Sequence, residues 1–421
     1  MKSHLTLSIL ISLATPAMAA EDRLADILAR GTVRIATTGD YQPFSYKNPV
    51  THEYEGLDID LGRQLARELG VKLEWVPTSW PQLMADYEAG KFDIVMSGVS
   101  INLERQKKAL FSIPYLKDGK TPITRCTDAQ RFQTLAQIDQ PGVNVIVNPG
   151  GTNEKFARSH LHHARLTVYP DNTTIFEQIA SGKADVMMTD AIETRLQAKL
   201  RPALCAIHPN QPFTYSEKAL LLPNDFRWKA WVDQFLHQAQ ARGTLDRLQT
   251  RWLSWPWLTQ APQNDLDTLL ALMNERLKLM PDVARYKWNE QSAIEDLARE
   301  KTILADLVKQ AEAAKVSPSL ATAFFKAQIE AAKMVQHQLT DSWRQQQASR
   351  FEDIPDLKTE IRPRLDALTS QLIDALARNQ TTLADPARQP LIESTAQRWI
   401  PQTQWGEAAK TASAPLLNPR P

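Results

Sequence analysis

Cysteine is nearly absent from this chain: there are two in 421 residues, Cys126 and Cys205. Neither stands in a CxxC pair, so catalytic thiol chemistry has no support. An excess of charge of one sign is missing too, with 49 Lys+Arg against 48 Asp+Glu. That balance leaves no electrostatic footprint for nucleic acid or an anionic membrane. After the first residues no apolar run is long enough for a transmembrane helix. Glycine nearly disappears after Trp257, which separates the chain into two textures.

The apolar run that does exist comes first. "MKSHLTLSILISLATPAMAA" has Lys2, an apolar stretch from Leu5 to Ala14 and the small-residue site Ala17-Met18-Ala19. This predicts a secretory signal peptide over 1–19, removed from an exported, periplasmic protein. In that oxidising compartment the two cysteines are expected to form one disulfide, Cys126–Cys205; two buried free thiols are the alternative. Closing so long a loop stabilises by roughly 4 kcal/mol in the chain-entropy model. His160, His162 and His163 cluster as "HLHH", but no further ligand stands at metal spacing, so a solvated helix end is the better reading and no metal is expected.

Residues 21–257 alternate strand and helix signals. "TVRIATT" reads as a strand. "DIDLGRQLARELG" puts Leu61, Leu65 and Leu69 on one helical face and stops at Gly70. A local repeat organises the region: "AGKFDIVMSG" (89–98) is echoed by "SGKADVMMTD" (181–190), each after an amphipathic helix. Two similar α/β lobes follow, 28–118 with 214–257 and 120–212, with polar groups beyond the ends of their strands. After a linker, 258–264, the Ala-, Leu-, Gln-, Lys- and Glu-rich residues 265–405 predict an all-α helical bundle, and 406–421 reads as a disordered tail.

The segments "GDYQPFSY", "EGLDIDLGRQLARELG", "MSGVSINLERQKKALFSIPY", "NPGGTNEKFA" and "MMTD" resemble the two-lobed periplasmic amino-acid-binding proteins. The likeness implies that Arg105 clamps a ligand carboxylate, a match for its guanidinium fork, and that Asp190 takes the ligand's amino group. The Gly-rich turn before Thr152 opens a helix whose N–H groups suit an anion. Three residues beyond Asp190 stands Glu193, on the same helical face. From composition alone a solvated surface Glu is the alternative. With "PTSWPQLM", "FSIPYLKDGKTPIT" and "KADVMMTDAIE" the match extends to the periplasmic cyclohexadienyl dehydratases, which convert prephenate to phenylpyruvate and arogenate to phenylalanine. That resemblance implies Glu193 as general acid, kept protonated by burial beside other carboxylates. It also implies Lys120 as a second cation, Tyr41 and Trp80 as walls for the ring, and Ser100, Asn148, Thr152 and Asn153 as polar contacts. A hinge-surface lysine and core aromatics are the alternatives at Lys120 and at the two rings.

In the helical part, Arg276 and Lys287 are 11 residues apart, about three turns of one helix. Arg299 follows 12 residues on. Ordinary surface charge is the alternative for each alone. Their order is similar to that of the secreted all-helical chorismate mutases. The resemblance implies Arg276, Lys287 and Arg299 as grips for the substrate's carboxylates and ether oxygen, and Asp296 for its hydroxyl. Gln336 falls where that family contacts the ether oxygen. Arg362 falls near the last basic position, with Arg364 as a rival. Such a rearrangement needs only a held conformer and well-placed cations, so no cofactor is expected. The chain thus reads as a bifunctional enzyme acting on chorismate, prephenate and arogenate, with no nucleic-acid or membrane partner and a homo-oligomer left open. The competing readings are a transport receptor fused to a helical module, and a dehydratase with an inactive helical domain.

Overall fold

The computed structural model describes residues 22–417. The signal-peptide expectation therefore lies outside the described residues. Residues up to about 257 build two lobes, each around a five-stranded sheet. In the first, Thr32–Thr37 pairs in parallel with Lys72–Pro77 and with Ile94–Val95, and Leu221–Leu222 and Leu110–Phe111 complete the sheet. In the second, Val186–Asp190 lies between parallel Asn144–Val147 and antiparallel Lys120–Arg125. The two repeat segments thus become the central strands of the two sheets. Each is buried on both faces, which is why each reads as a short continuous apolar run.

Local signals explain the elements around them. The helix Leu57–Leu69 buries Leu57, Leu61, Leu65 and Leu69 against the first sheet and ends at Gly70, whose left-handed φ of 68° lets its N–H reach Ala66 and Arg67 carbonyls. Leu116–Asp118 and Ser216–Lys218 pair antiparallel where the chain crosses between lobes. Cys126 and Cys205 are joined, with Cα atoms 4.8 Å apart and a sequence separation of 79. The bridge sits within the second lobe, where the strand Leu204–Ala206 pairs with Lys120–Arg125. His160 stacks on Phe156 and His163 pairs with Asp139, the behaviour of a helix end in solvent.

The helical part packs Asp265–Lys278, Met280–Asn289, Leu297–Ala313, Pro318–Gln345 and Arg362–Ala384 around one apolar core. Two sequence readings need correction here. The stretch from 406 onward is not a disordered tail: Glu407–Leu417 is a helix packed on Pro318–Gln345, with Ala408, Ala409, Ala412 and Leu416 buried. Its small residues, which look featureless in sequence, are what permit close helix–helix approach. Arg276 and Lys287 do not share one straight helix either; the chain turns at Leu279, ahead of Pro281, and begins a new helix.

The two parts meet through buried charge. Lys278 is 2.8 Å from Glu275 and 3.8 Å from Glu55 of the first lobe, while Asn48 and Trp255 donate to Glu55. Arg251 donates to both oxygens of Asp282 at 3.2 and 2.8 Å, and Arg67 pairs with Glu360. Val50 and Leu258 enter the helical core. Among the described residues, no helix is long and apolar enough to cross a membrane.

Candidate active sites

The first site forms where the interlobe crossings meet the ends of the central strands. Lys120 opens its strand directly opposite Asp190, so the register alone brings ammonium to carboxylate at 2.7 Å. Lys218 closes the returning crossover strand and reaches the other oxygen of Asp190, also at 2.7 Å. It further donates to Ser100 Oγ and Tyr41 Oη, and its ammonium lies 5.0 Å from the Tyr41 ring centroid and 5.5 Å from that of Phe44. Tyr41 donates across the cleft to Asp190 at 2.5 Å. Against the cost of burial, these two ammoniums hold the Asp190 carboxyl well below the usual carboxylate range.

Lys120 donates to Thr152 Oγ1 and Asn153 Oδ1 as well. Asn153 Nδ2 in turn donates to Asn148 Oδ1 and to Thr189 Oγ1, and Thr189 donates to Glu193 Oε2 at 2.5 Å. Glu193 sits in the first turn of the helix Ala191–Leu200 and is 1% exposed. Burial, with the neighbouring Asp190 carboxylate, pushes its carboxyl up to about 8, although the hydrogen bond from Thr189 pulls the other way. A surface role for Glu193 is therefore excluded by its position.

Arg105 is buried and lines the cleft; its guanidinium donates to the Ser100 carbonyl at 3.5 Å, and burial disfavours its charge. Trp80 stands edge-on to Tyr41 with centroids 5.8 Å apart and donates to Asp40. Tyr41, Trp80, Ser100, Arg105, Asn148, Thr152, Asn153 and Asp190 all line one cavity, together with Lys218. Lys120 and Glu193 lie behind that lining, against Asp190, Asn153 and Thr189. Gly98, with φ 64°, also lines it; a Cβ there would come within 2.5 Å of the Phe44 ring. Sequence reasoning missed Lys218. Its one signal was a lysine set immediately before the apolar run "ALLL", at the end of a strand pointing inward.

In the helical part, Arg276 donates to the Gln328 carbonyl at 3.2 Å, and burial lowers its guanidinium to about 10. Two turns further along the same helix as Gln328 is Gln336, buried, with its Nε2 bonded to the Ala332 carbonyl and near Met280 Sδ. Among the described residues its buried Oε1 has no hydrogen-bond partner. Lys287 donates to the Ile294 carbonyl, and burial lowers its ammonium despite the nearby Glu300. Arg299 and Asp296 are exposed at the start of Leu297–Ala313, where Asp296 caps the helix by accepting from the Arg299 N–H. Arg362 is half-buried at the start of its helix. Its rival Arg364 faces Glu55, Asp60 and Asp282 at the contact between the two parts. Lys333, three residues before Gln336, pairs with Glu300 and Glu330 and was not foreseen.

The family described as bacterial extracellular solute-binding proteins, family 3, matches residues 33–254. The chain belongs to this family. Chorismate mutase type II matches residues 266–337, so the solute-binding domain is fused to a mutase-type helical domain. Cyclohexadienyl dehydratase of Pseudomonas aeruginosa is 61% identical over 243 residues, covering 57% of this chain and 90% of that protein. The L-cystine-binding protein of Escherichia coli K12 is 26% identical over 250 residues, covering 59% and 92%. Among solved structures, an ancestral amino acid-binding protein described as a precursor of cyclohexadienyl dehydratase superposes with a TM-score of 0.52. It is 38% identical and covers 55% of this chain and 99% of its own. A family of binders thus includes a dehydratase, and in this member Glu193 is buried beside Asp190, behind the lining of the cleft.

Proposed function

We propose that the chain is a bifunctional, periplasmic enzyme: its helical domain rearranges chorismate to prephenate, and its two-lobed domain converts prephenate or arogenate to phenylpyruvate or phenylalanine. The observation that carries the dehydratase reading is Glu193, a buried carboxyl raised to about 8 behind a cleft lined by Arg105 and Lys218, with Lys120 beside it against Asp190. A receptor for zwitterions has no use for such an acid. Nor is Asp190 free for a ligand's amine, because two lysines already occupy it.

The cations hold the substrate's carboxylates, with Arg105 as the bidentate grip. Glu193 gives its proton to the ring hydroxyl, which leaves as water. The ring carboxylate leaves as CO2, and the electron pair of the broken C–C bond completes the aromatic ring. Glu193 is left as a carboxylate and regains a proton from solvent. Protonating a poor leaving group is worth about 10²–10⁴-fold. In the helical domain, Arg276, Lys287 and Arg299 supply charge for the two carboxylates, and Gln336 offers an N–H to the ether oxygen as the bond breaks. A neutral amide donates at any pH.

Purified protein given chorismate is expected to form phenylpyruvate, followed by its absorbance. Glu193→Gln should stop at prephenate. Unchanged dehydration in that variant would sink the acid role, and turnover of neither substrate by the unaltered chain would return the receptor reading.

A further inference from the structure

Protons can be assigned along the buried chain from Lys120 to Glu193, because each link has one workable direction. The Lys120 ammonium has three protons and three acceptors: Asp190 Oδ1, Thr152 Oγ1 and Asn153 Oδ1. An ammonium cannot accept, so the Asn153 amide must turn its oxygen to Lys120. Its Nδ2 then faces the second lobe's strand end and spends its two protons on Asn148 Oδ1 and Thr189 Oγ1. Thr189 is fully buried and already accepts from Asn153. The acceptor for its own proton is Glu193 Oε2. A Glu193 proton placed on Oε2 would strand the Thr189 hydroxyl proton without an acceptor in a dry site, the costly arrangement.

We infer that Thr189 is a positioning residue that selects the reactive oxygen of Glu193: by donating to Oε2 it confines the acidic proton to Oε1. This rests on the reading of Glu193 as general acid and extends it. The arrangement is rigid at both ends. Thr189 belongs to the central strand, paired with Thr121. The helix bearing Glu193 is pinned by the crossing between lobes, where Ala191 N donates to the Gly119 carbonyl and Ile192 N to Asp118. The hydrogen bond from Thr189 also tempers the rise in the Glu193 carboxyl, keeping the acid strong enough to give its proton away.

The test is Thr189→Val, which keeps the shape and removes the hydroxyl, set beside Thr189→Ser and Glu193→Gln in the full chain. Steady-state dehydration of prephenate is measured from about pH 5 to 10, spanning the ordinary carboxyl range and the raised one. For Thr189→Val we expect kcat to fall about 10–100-fold with KM moving less, the range of a lost orienting interaction. The alkaline limb of its kcat profile should move to higher pH, because the carboxylate loses its donor. Thr189→Ser should recover the rate and the limb. A normal rate and an unmoved limb in Thr189→Val overturn the inference, while an inactive Glu193→Gln leaves the acid itself in place. Equal loss in Thr189→Val and Thr189→Ser assigns the position to packing and overturns it too. Full activity in Glu193→Gln removes the acid and the inference together.

Discussion

Glu193 carries a cost as well as a chemistry. Its carboxyl stands at about 8 in the folded protein against an ordinary 4.5, so the native state holds the proton more tightly than the unfolded chain does. Stability is then intact below about pH 4.5 and declines as pH rises toward 8. Above that, the buried carboxylate costs roughly 3–5 kcal/mol, since each tenfold change in proton affinity is worth about 1.4 kcal/mol. Glu193→Gln is expected to unfold at higher temperature than the parent at about pH 9 and at nearly the same temperature at about pH 4.5. Calorimetry at the two values checks this. With Glu193 as the proposed general acid, dehydration should fall above about pH 8, whereas mutase turnover, which has a neutral Gln336 amide at the ether oxygen, should not share that limb. A mutase limb that tracks the dehydratase limb would contradict the assignment.

At the scale of elements, a crosslink and a helix can be tested separately. The Cys126–Cys205 bridge closes a loop of 79 residues inside the second lobe. Replacing both cysteines by serine should destabilise that lobe by about 4 kcal/mol in the chain-entropy model, read as an earlier loss of prephenate turnover on heating. The helix Glu407–Leu417 covers Pro318–Gln345, the helix that bears Gln336. Leu416 is fully buried in that contact, so Leu416→Ala should cost about 2–5 kcal/mol. Mutase activity should be lost at a lower temperature while dehydration is spared. Equal loss of both activities would show the domains to unfold as one.

Across the whole molecule, buried ions stand at the contact between the two domains, beside Val50 and Leu258, which enter the helical core. Lys278 serves Glu275 and Glu55 at once, and burial raises the Glu275 carboxyl to about 7. Removing the cation leaves two buried carboxylates, and breaking such a pair costs about 3–5 kcal/mol. Lys278→Met is expected to destabilise strongly at about pH 8. The effect should be smaller at about pH 5, where Glu275 keeps its proton in the folded state. Scanning calorimetry at both pH values separates this from a packing defect, whose cost would not change with pH.

Periodicity and punctuation, by themselves, determined the alternation of strand and helix up to Trp257, the duplicated strand that centres each sheet, and the helical texture beyond. These are local properties, written in spacings of about two and 3.6 residues and in stops such as Gly70. The acid was legible only as a second carboxylate after "MMTD"; that it is buried, and protonated, depended on which helix turn faces the cleft. Lys218 and Thr189 could not be singled out, because the partners of Lys218 stand 28 to 177 residues away and Thr189 lies at the end of a strand whose register is tertiary. The closing helix escaped notice for a related reason: alanines and serines signal no core until another helix lies against them. Contacts between distant segments were the province of the fold, and they decide which ordinary side chains become a site.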